Sequence, residues 1–178
     1  MALPVHPPAG YGADVSDLVD YNFGPDSRNR LAETSRRSAD GAIAALETFY
    51  YALNNADLDV LAEIWSDDDL AQVDNPVGGI VRSGRAVVDM YRHLFDSGVQ
   101  LDITFTDAAT YWSPDAAMFA GREVGHYTNA EGEHVPLEFR TSRYFTWHPR
   151  HERWRQLHHH GSMDDPSALH DYQQAALR

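Results

Sequence analysis

The hydrophobic period of this chain changes once, at Gly98, and that change sets the order of helices and strands. Before Gly98 the period is helical. Ile43, Leu46, Tyr50 and Leu53 fall on one helical face, and Ser38 or Asp40 can cap that helix. Asn54-Asn55 ends it. Asp57 caps a second, shorter helix holding Leu58, Leu61, Ile64 and Trp65. Residues 70–75 read as a short strand broken by Pro76 and Gly78-Gly79, and Ile80 and Val81 pair briefly. A third helix starts near Arg85 with Val87, Val88, Tyr91, Leu94 and Phe95 on one face, and Gly98 suits its C′ position. After Gly98 the period is two. Val99, Leu101, Ile103 and Phe105 alternate with Gln100, Asp102, Thr104 and Thr106, the pattern of a strand with one wet face.

That strand can continue to Trp112, where Ser113-Pro114-Asp115 turns the chain. Residues 116–127 form the next strand. Residues 136–163 read as a hairpin turning at 149–152, since His148-Pro149-Arg150 opens a turn. Its first arm carries Arg140, Arg143, Tyr144, Phe145 and Trp147. Its second carries Trp154, His158, His159 and His160, and closes at Gly161-Ser162. Polar groups inside such apolar strands need a core partner, a subunit interface or a pocket, because burying one unpaired costs roughly 1–3 kcal/mol. Three helices followed by four long antiparallel strands make an α+β fold. A long meander coils with its twist, so the expected architecture is a cone-shaped curved antiparallel sheet with the three N-terminal helices covering its concave face.

The length, 178 residues, suits one full domain. A net charge of −13 argues against nucleic acid and anionic membrane as partners, since both need a basic footprint. The absence of cysteine excludes disulfides, thiolate catalysis and Cys-ligated zinc. No apolar run is long enough for a signal core or a membrane span, so the expected location is cytoplasmic. Residues 1–38 form an extension rich in proline and glycine with no sustained period. If it docks, Tyr11, Leu18, Val19, Tyr21 and Phe23 are the residues to do it, on a neighbouring subunit or at the mouth of a pocket. The domain is expected at 39–166, and 167–178 as a tail or short helix.

Three motifs resemble the nuclear transport factor 2-like superfamily, which includes ketosteroid isomerase, SnoaL-like polyketide cyclases and the kinase hub (association) domain. Trp65-Ser66-Asp67-Asp68 followed by Asn75-Pro76-Val77-Gly78 resembles an acidic turn, strand and loop of the family. Ser83-Gly84-Arg85-Ala86-Val87 resembles the start of its third helix. Trp154-Arg155-Gln156-Leu157-His158-His159-His160-Gly161-Ser162 resembles its closing strand, above all that of the hub domain. The resemblance implies the cone, and a pocket drawing on the positions of Tyr91, Arg143 and Gly161. It also implies a homodimer through the exposed sheet face, and two functional readings: a cofactor-free acid/base isomerase, cyclase or dehydratase, or a non-catalytic ligand-binding or oligomerisation module.

Asp74, on the short strand, is the candidate general base, since an aspartate beside an apolar cavity can have a raised pKa; alternatively it pairs with Arg82 or solvent. Arg143 would bind a carboxylate or stabilise an enolate, or form an ion pair with Glu123 or Glu138. Tyr91 joins it at the oxyanion, and His126 or His159 would relay the proton. Glu123 and His126 stand three apart on one strand and therefore face opposite sides. Tyr50, Trp65, Phe105, Phe119, Tyr111, Phe145 and Trp147 read mostly as core, with Tyr50, Trp65, Phe105, Phe119, Glu123 and Phe145 as candidate linings around a small apolar or aromatic molecule. No motif calls for a nucleotide, flavin or haem. A metal on His158 and His160, which share a strand face, would need a third ligand such as His126 or His148, and no motif supplies it, so no metal is expected.

Overall fold

The computed structural model describes residues 16–75, 79–128, 132–163, 165, 167 and 170. The expected terminal helix at 167–178, the docking role of Tyr11 and the Pro76-Gly78 break lie outside these residues.

Among the described residues, three α-helices form where the sequence places them, the first two at expected caps. In α1, Ala39–Asn54, Ser38 accepts from the Gly41 amide. In α2, Leu58–Ile64, Asp57 accepts from the Val60 amide. In α3, Gly84–Asp96, Ser83 accepts from the Ala86 amide, and Gly98 follows it at φ +78°, where glycine avoids the Cβ clash. The strands are β1 Ser16–Val19, β2 Gln72–Asp74, β3 Ile80–Arg82, β4 Gln100–Ser113, β5 Ala116–Thr128, β6 His134–His148 and β7 Arg153–Met163. Among the described residues they form one sheet in the order β1-β4-β5-β6-β7-β2-β3. The expected all-antiparallel sheet needs one correction, because β2 runs parallel to β7.

The concave face of the sheet and the helices share one core. Leu46, Phe49, Tyr50 and Leu53 of α1 pack with Leu61, Ile64 and Trp65, with Val87 and Tyr91 of α3, and with Phe105, Phe119, Phe145 and Trp154 of the strands. The Asn54 side chain ties α1 to β4: it donates to the Ile103 carbonyl and accepts from the Ile103 amide.

Two register shifts decide which side chains face the core. The first lies between Thr106 and Ala109 of β4, with Asp107 at φ +51°. Gly121 sits across from it; a Cβ there would stand 2.7 Å from the Thr106 carbonyl oxygen. Before the shift Ile103 and Phe105 point inward; after it Ala108 does. Tyr111, expected in the core, is therefore turned outward and 45% exposed. The second shift lies between Tyr144 and Phe145 of β6, where β7 steps from His158 to Gln156. Gln156 and His159 are thus both buried although three residues apart.

The described part of the extension, residues 16–38, docks on the chain's own domain rather than at the mouth of the cavity between the sheet and α3. β1 pairs with β4, and Phe23 exchanges backbone hydrogen bonds with Phe105. Tyr21 stacks on Phe23 and lies edge-on to Phe119. Arg28 and Arg30 both reach the buried Glu47 of α1, Arg37 pairs with Asp115, and Trp154 donates its indole N–H to the Arg36 carbonyl. Leu18, expected to dock, is 87% exposed.

Candidate functional site

A cavity of about 80 Å³ lies between the concave sheet and α3. Leu53, Ile103, Leu137 and Phe139 make its apolar wall, and the half-buried Met90, Leu94 and Leu101 stand at its rim. Five polar residues line it: Asn75, Tyr91, Glu123, Arg143 and His159. Strand pairing brings the last two together. Arg143 of β6 stands directly across from His159 of β7, and His159 across from Val73 of β2.

Arg143 is the hub of a buried network. Its Nη2 donates to Glu123 Oε1 at 2.6 Å and its Nε to the same oxygen at 3.1 Å. Nε also reaches the Tyr50 hydroxyl at 2.9 Å, and Nη1 donates to Gln156 Oε1 at 3.3 Å. Tyr50 in turn donates to Glu123 Oε1 at 2.7 Å. The guanidinium lies over the Phe49 ring, 3.7 Å from its centroid. Burial opposes its charge, but Tyr50, Glu123 and Tyr91 outweigh burial, and its pKa is raised. Arg143 is therefore a fixed cation. One oxygen of Glu123 accepts three donors, two from Arg143 and one from Tyr50.

The two tyrosines stay protonated. Burial pushes Tyr50 well above its ordinary value, with Arg143 pulling the other way. Burial pushes Tyr91 up to about 12, again against Arg143. His159 moves oppositely: burial, followed by the positive charge of Arg143, holds its pKa well below the usual imidazole value, so it is neutral at pH 7. Its Nε2 meets the Thr141 hydroxyl at 3.0 Å. Its Nδ1 is buried without a hydrogen-bond partner. If Nε2 carries the proton and donates to Thr141, Nδ1 carries a free lone pair.

Asp74 does not line this cavity. Because β2 runs parallel to β7 with Val73 opposite His159, parity turns Asp74 to the other face beside His160. Its carboxylate accepts from Gln72 and meets His158 at 3.3 Å and His160 at 3.5 Å. Burial raises its pKa, but these hydrogen bonds outweigh burial and hold it below the ordinary carboxylate value. The expected raised pKa is absent. His126 also lies elsewhere, its ring 4.6 Å from that of His134, at a surface groove bordered by Asp102 and Thr128. Trp65, Phe105, Phe119 and Phe145 are core: Phe105 stacks on Tyr50, Phe119 meets Phe145 edge-on, and Trp65 packs against Tyr91. Thr141 and Gln156 escaped the sequence reading. Thr141 shares the parity of Arg143 and was accessible by alternation; Gln156 was hidden by the second register shift.

Residues 43–166 match the family model described as the SnoaL-like domain. No curated protein matches the chain. Among solved structures, a Xanthomonas campestris protein named as a calcium/calmodulin-dependent protein kinase II association domain is similar at a TM-score of 0.61 and 16% identity, covering 72% of this chain and 90% of its own. A ketosteroid isomerase-like protein from Erwinia carotovora atroseptica is similar at 0.60 and 20% identity, covering 70% and 95%. A nuclear transport factor 2 (NTF2-like) superfamily protein from Salmonella enterica serovar Typhimurium is similar at 0.59 and 16% identity, covering 69% and 88%. At these identities the likeness carries the fold alone. No helix among the described residues is long and apolar enough to cross a membrane.

Proposed function

The chain belongs to the SnoaL-like domain family, and from that premise we propose that it binds a small carbonyl compound in its cavity and moves a proton on it without a cofactor. The observation that carries this reading is His159: a buried, neutral imidazole with one unpartnered nitrogen, directly across the strands from a fixed arginine cation. The Nδ1 lone pair takes a proton from the carbon beside the carbonyl. The electron pair moves onto the carbonyl oxygen. Arg143 and the protonated Tyr91 are the donors for the resulting oxyanion, and the imidazolium returns its proton at the same or a conjugated carbon. Asp74 has no part in this step.

Volume limits the ligand. A dry cavity of about 150 Å³ holds benzene; this one is 80 Å³. It takes a compound of a few heavy atoms, and anything larger requires Met90, Leu94 or Leu101 to move. The test is deuterium uptake by acetone, cyclopentanone and cyclohexanone in D₂O, followed by NMR. The protein should accelerate exchange for at least one ketone, His159→Gln should remove the acceleration, and Asp74→Asn should leave it unchanged. Exchange no faster than in buffer for all three refutes proton transfer on this class. Full activity in His159→Gln refutes the base.

One observation favours assembly as a second reading. Tyr111, Met118 and Tyr144 are direct cross-strand neighbours, at positions that alternate with the core residues Ala117, Phe119 and Phe145. This outward row suits a homodimer through the sheet face. Native mass spectrometry decides it: a monomer at micromolar concentration refutes assembly, and a dimer that Met118→Glu dissociates supports it.

A further inference from the structure

Asp67, His148 and His151 lie outside the cavity, and nothing above gives them a task. Their ligand atoms all fall within 4.8 Å of one another. His151 Nε2 stands 3.3 Å from each Asp67 carboxylate oxygen, and His148 Nε2 is 3.6 Å from Oδ1. We propose that these three side chains form a zinc site that fastens the β6–β7 turn to the segment leaving α2.

The backbone brings them together. Trp65 bridges to Gln156 in parallel, and the Ser66 amide donates to the Gln156 carbonyl at 2.9 Å. This directs Asp67 along β7 toward the hairpin turn, where His148 ends β6 and His151 lies in the turn itself. Donors about 2.0–2.1 Å from a tetrahedral zinc are roughly 3.3–3.5 Å apart. The Asp67–His151 separation of 3.3 Å already has that value, Asp67–His148 at 3.6 Å is close to it, and the ligand atoms of the two imidazoles lie within 4.8 Å. Two imidazoles and a carboxylate select zinc over calcium or magnesium, which prefer oxygen ligands. Side-chain exposures of 48% for Asp67 and 31% for His151 leave the site open to an arriving ion.

Three features set the affinity. Arg155 Nη1 stands 3.6 Å from Asp67 Oδ1; it orients the carboxylate and also repels the ion. Arg150, 76% exposed, stands 3.6 Å from Oδ2 and competes for the same carboxylate. His148 Nδ1 is buried without a partner, so the proton it must carry when Nε2 binds metal finds no acceptor.

The test uses full-length protein, freed of any histidine tag, stripped with EDTA and titrated with zinc chloride by calorimetry. One zinc per chain is expected, and cobalt(II) in its place should give the visible bands of a four-coordinate ion. His151→Ala, on a turn that carries no core packing, should weaken binding at least about tenfold. Arg150→Ala should tighten it by removing the competing cation, an effect that scattered surface histidines would not produce. His158→Ala with His160→Ala should change nothing. The proposal is overturned by absence of binding, by binding that survives His151→Ala, or by binding lost with His158 and His160. Unchanged melting of metal-free His151→Ala separates a lost ligand from a lost fold.

Discussion

Replacing Arg143 with leucine tests the network that organises the cavity wall. The pair is buried on both sides, with side-chain exposures of 1% for Arg143 and 7% for Glu123. Arg143→Leu leaves the Glu123 carboxylate in that environment with the Tyr50 hydroxyl as its remaining hydrogen-bond donor among the described residues. It also removes the cation over the Phe49 ring and leaves Gln156 Oε1 without its donor. Breaking one side of a buried pair costs about 3–5 kcal/mol. For a chain of this size that lowers Tm by roughly 6–20 °C. The double variant Arg143→Leu/Glu123→Leu removes the stranded charge, and apolar replacement of a whole buried pair is often neutral or stabilising. It should therefore be more stable than Arg143→Leu alone, although it lacks one more native side chain. Urea unfolding followed by tryptophan fluorescence and far-ultraviolet circular dichroism gives the four free energies of the cycle. The reasoning fails if Arg143→Leu costs less than about 1 kcal/mol, or if the double variant costs the sum of the two single ones.

Two further outcomes follow from the same structure. His159 is held neutral when folded and takes a proton when unfolded once pH falls below about 6.5. The unfolded state then binds more protons, so stability is full above that pH and declines as pH drops toward the depressed folded value. His159→Gln should flatten the decline between pH 6.5 and 5 in pH-dependent urea unfolding. It should not abolish it, because burial also lowers the His148 pKa; an unchanged slope refutes the assignment. Gly84→Ala should destabilise by about 1–3 kcal/mol in thermal unfolding, since its Cβ would stand 2.0 Å from the Ser66 carbonyl oxygen and 2.7 Å from Asp67 Cα. An alanine variant as stable as the parent would show that the start of α3 can move away from Ser66.

The fold was legible because its signals are local and repeated. Ser38 and Asp57 each precede an amphipathic run and cap the helix expected of them, and the third helix forms behind Ser83, a cap not named from the sequence. The alternation from Leu101 to Phe105 and from Leu137 to Trp147 marks strands whose inward residues continue without interruption. The parallel pairing of β2 was not legible. A three-residue strand carries too little pattern to state its direction, and Gln72, Val73 and Asp74 alternate equally well either way. The docking of the extension was legible in composition through Tyr21 and Phe23. Its destination was not, because an aromatic residue signals burial and says nothing of against what.

The site was legible where parity runs unbroken up to the residue concerned. Arg143 lies on β6, where inward parity runs from Leu137 to Phe145; alternation put either Arg140 or Arg143 inside, and the family resemblance favoured Arg143. Tyr111 lies beyond the Asp107 shift and Gln156 before the one on β7, and both were misjudged or missed for that single reason. Asp74 failed differently. Its neighbour Val73 takes the inward position opposite His159, and two outward histidines take up the carboxylate. A carboxylate gains a raised pKa from burial without donors. Asp74 has three donors, while Glu123 has donors and full burial together. The buried group left with a vacant acceptor position is the imidazole of His159. Basicity at this cavity thus depends on which side chain the network leaves unsatisfied, and the hydrogen bonds of the folded state decide that.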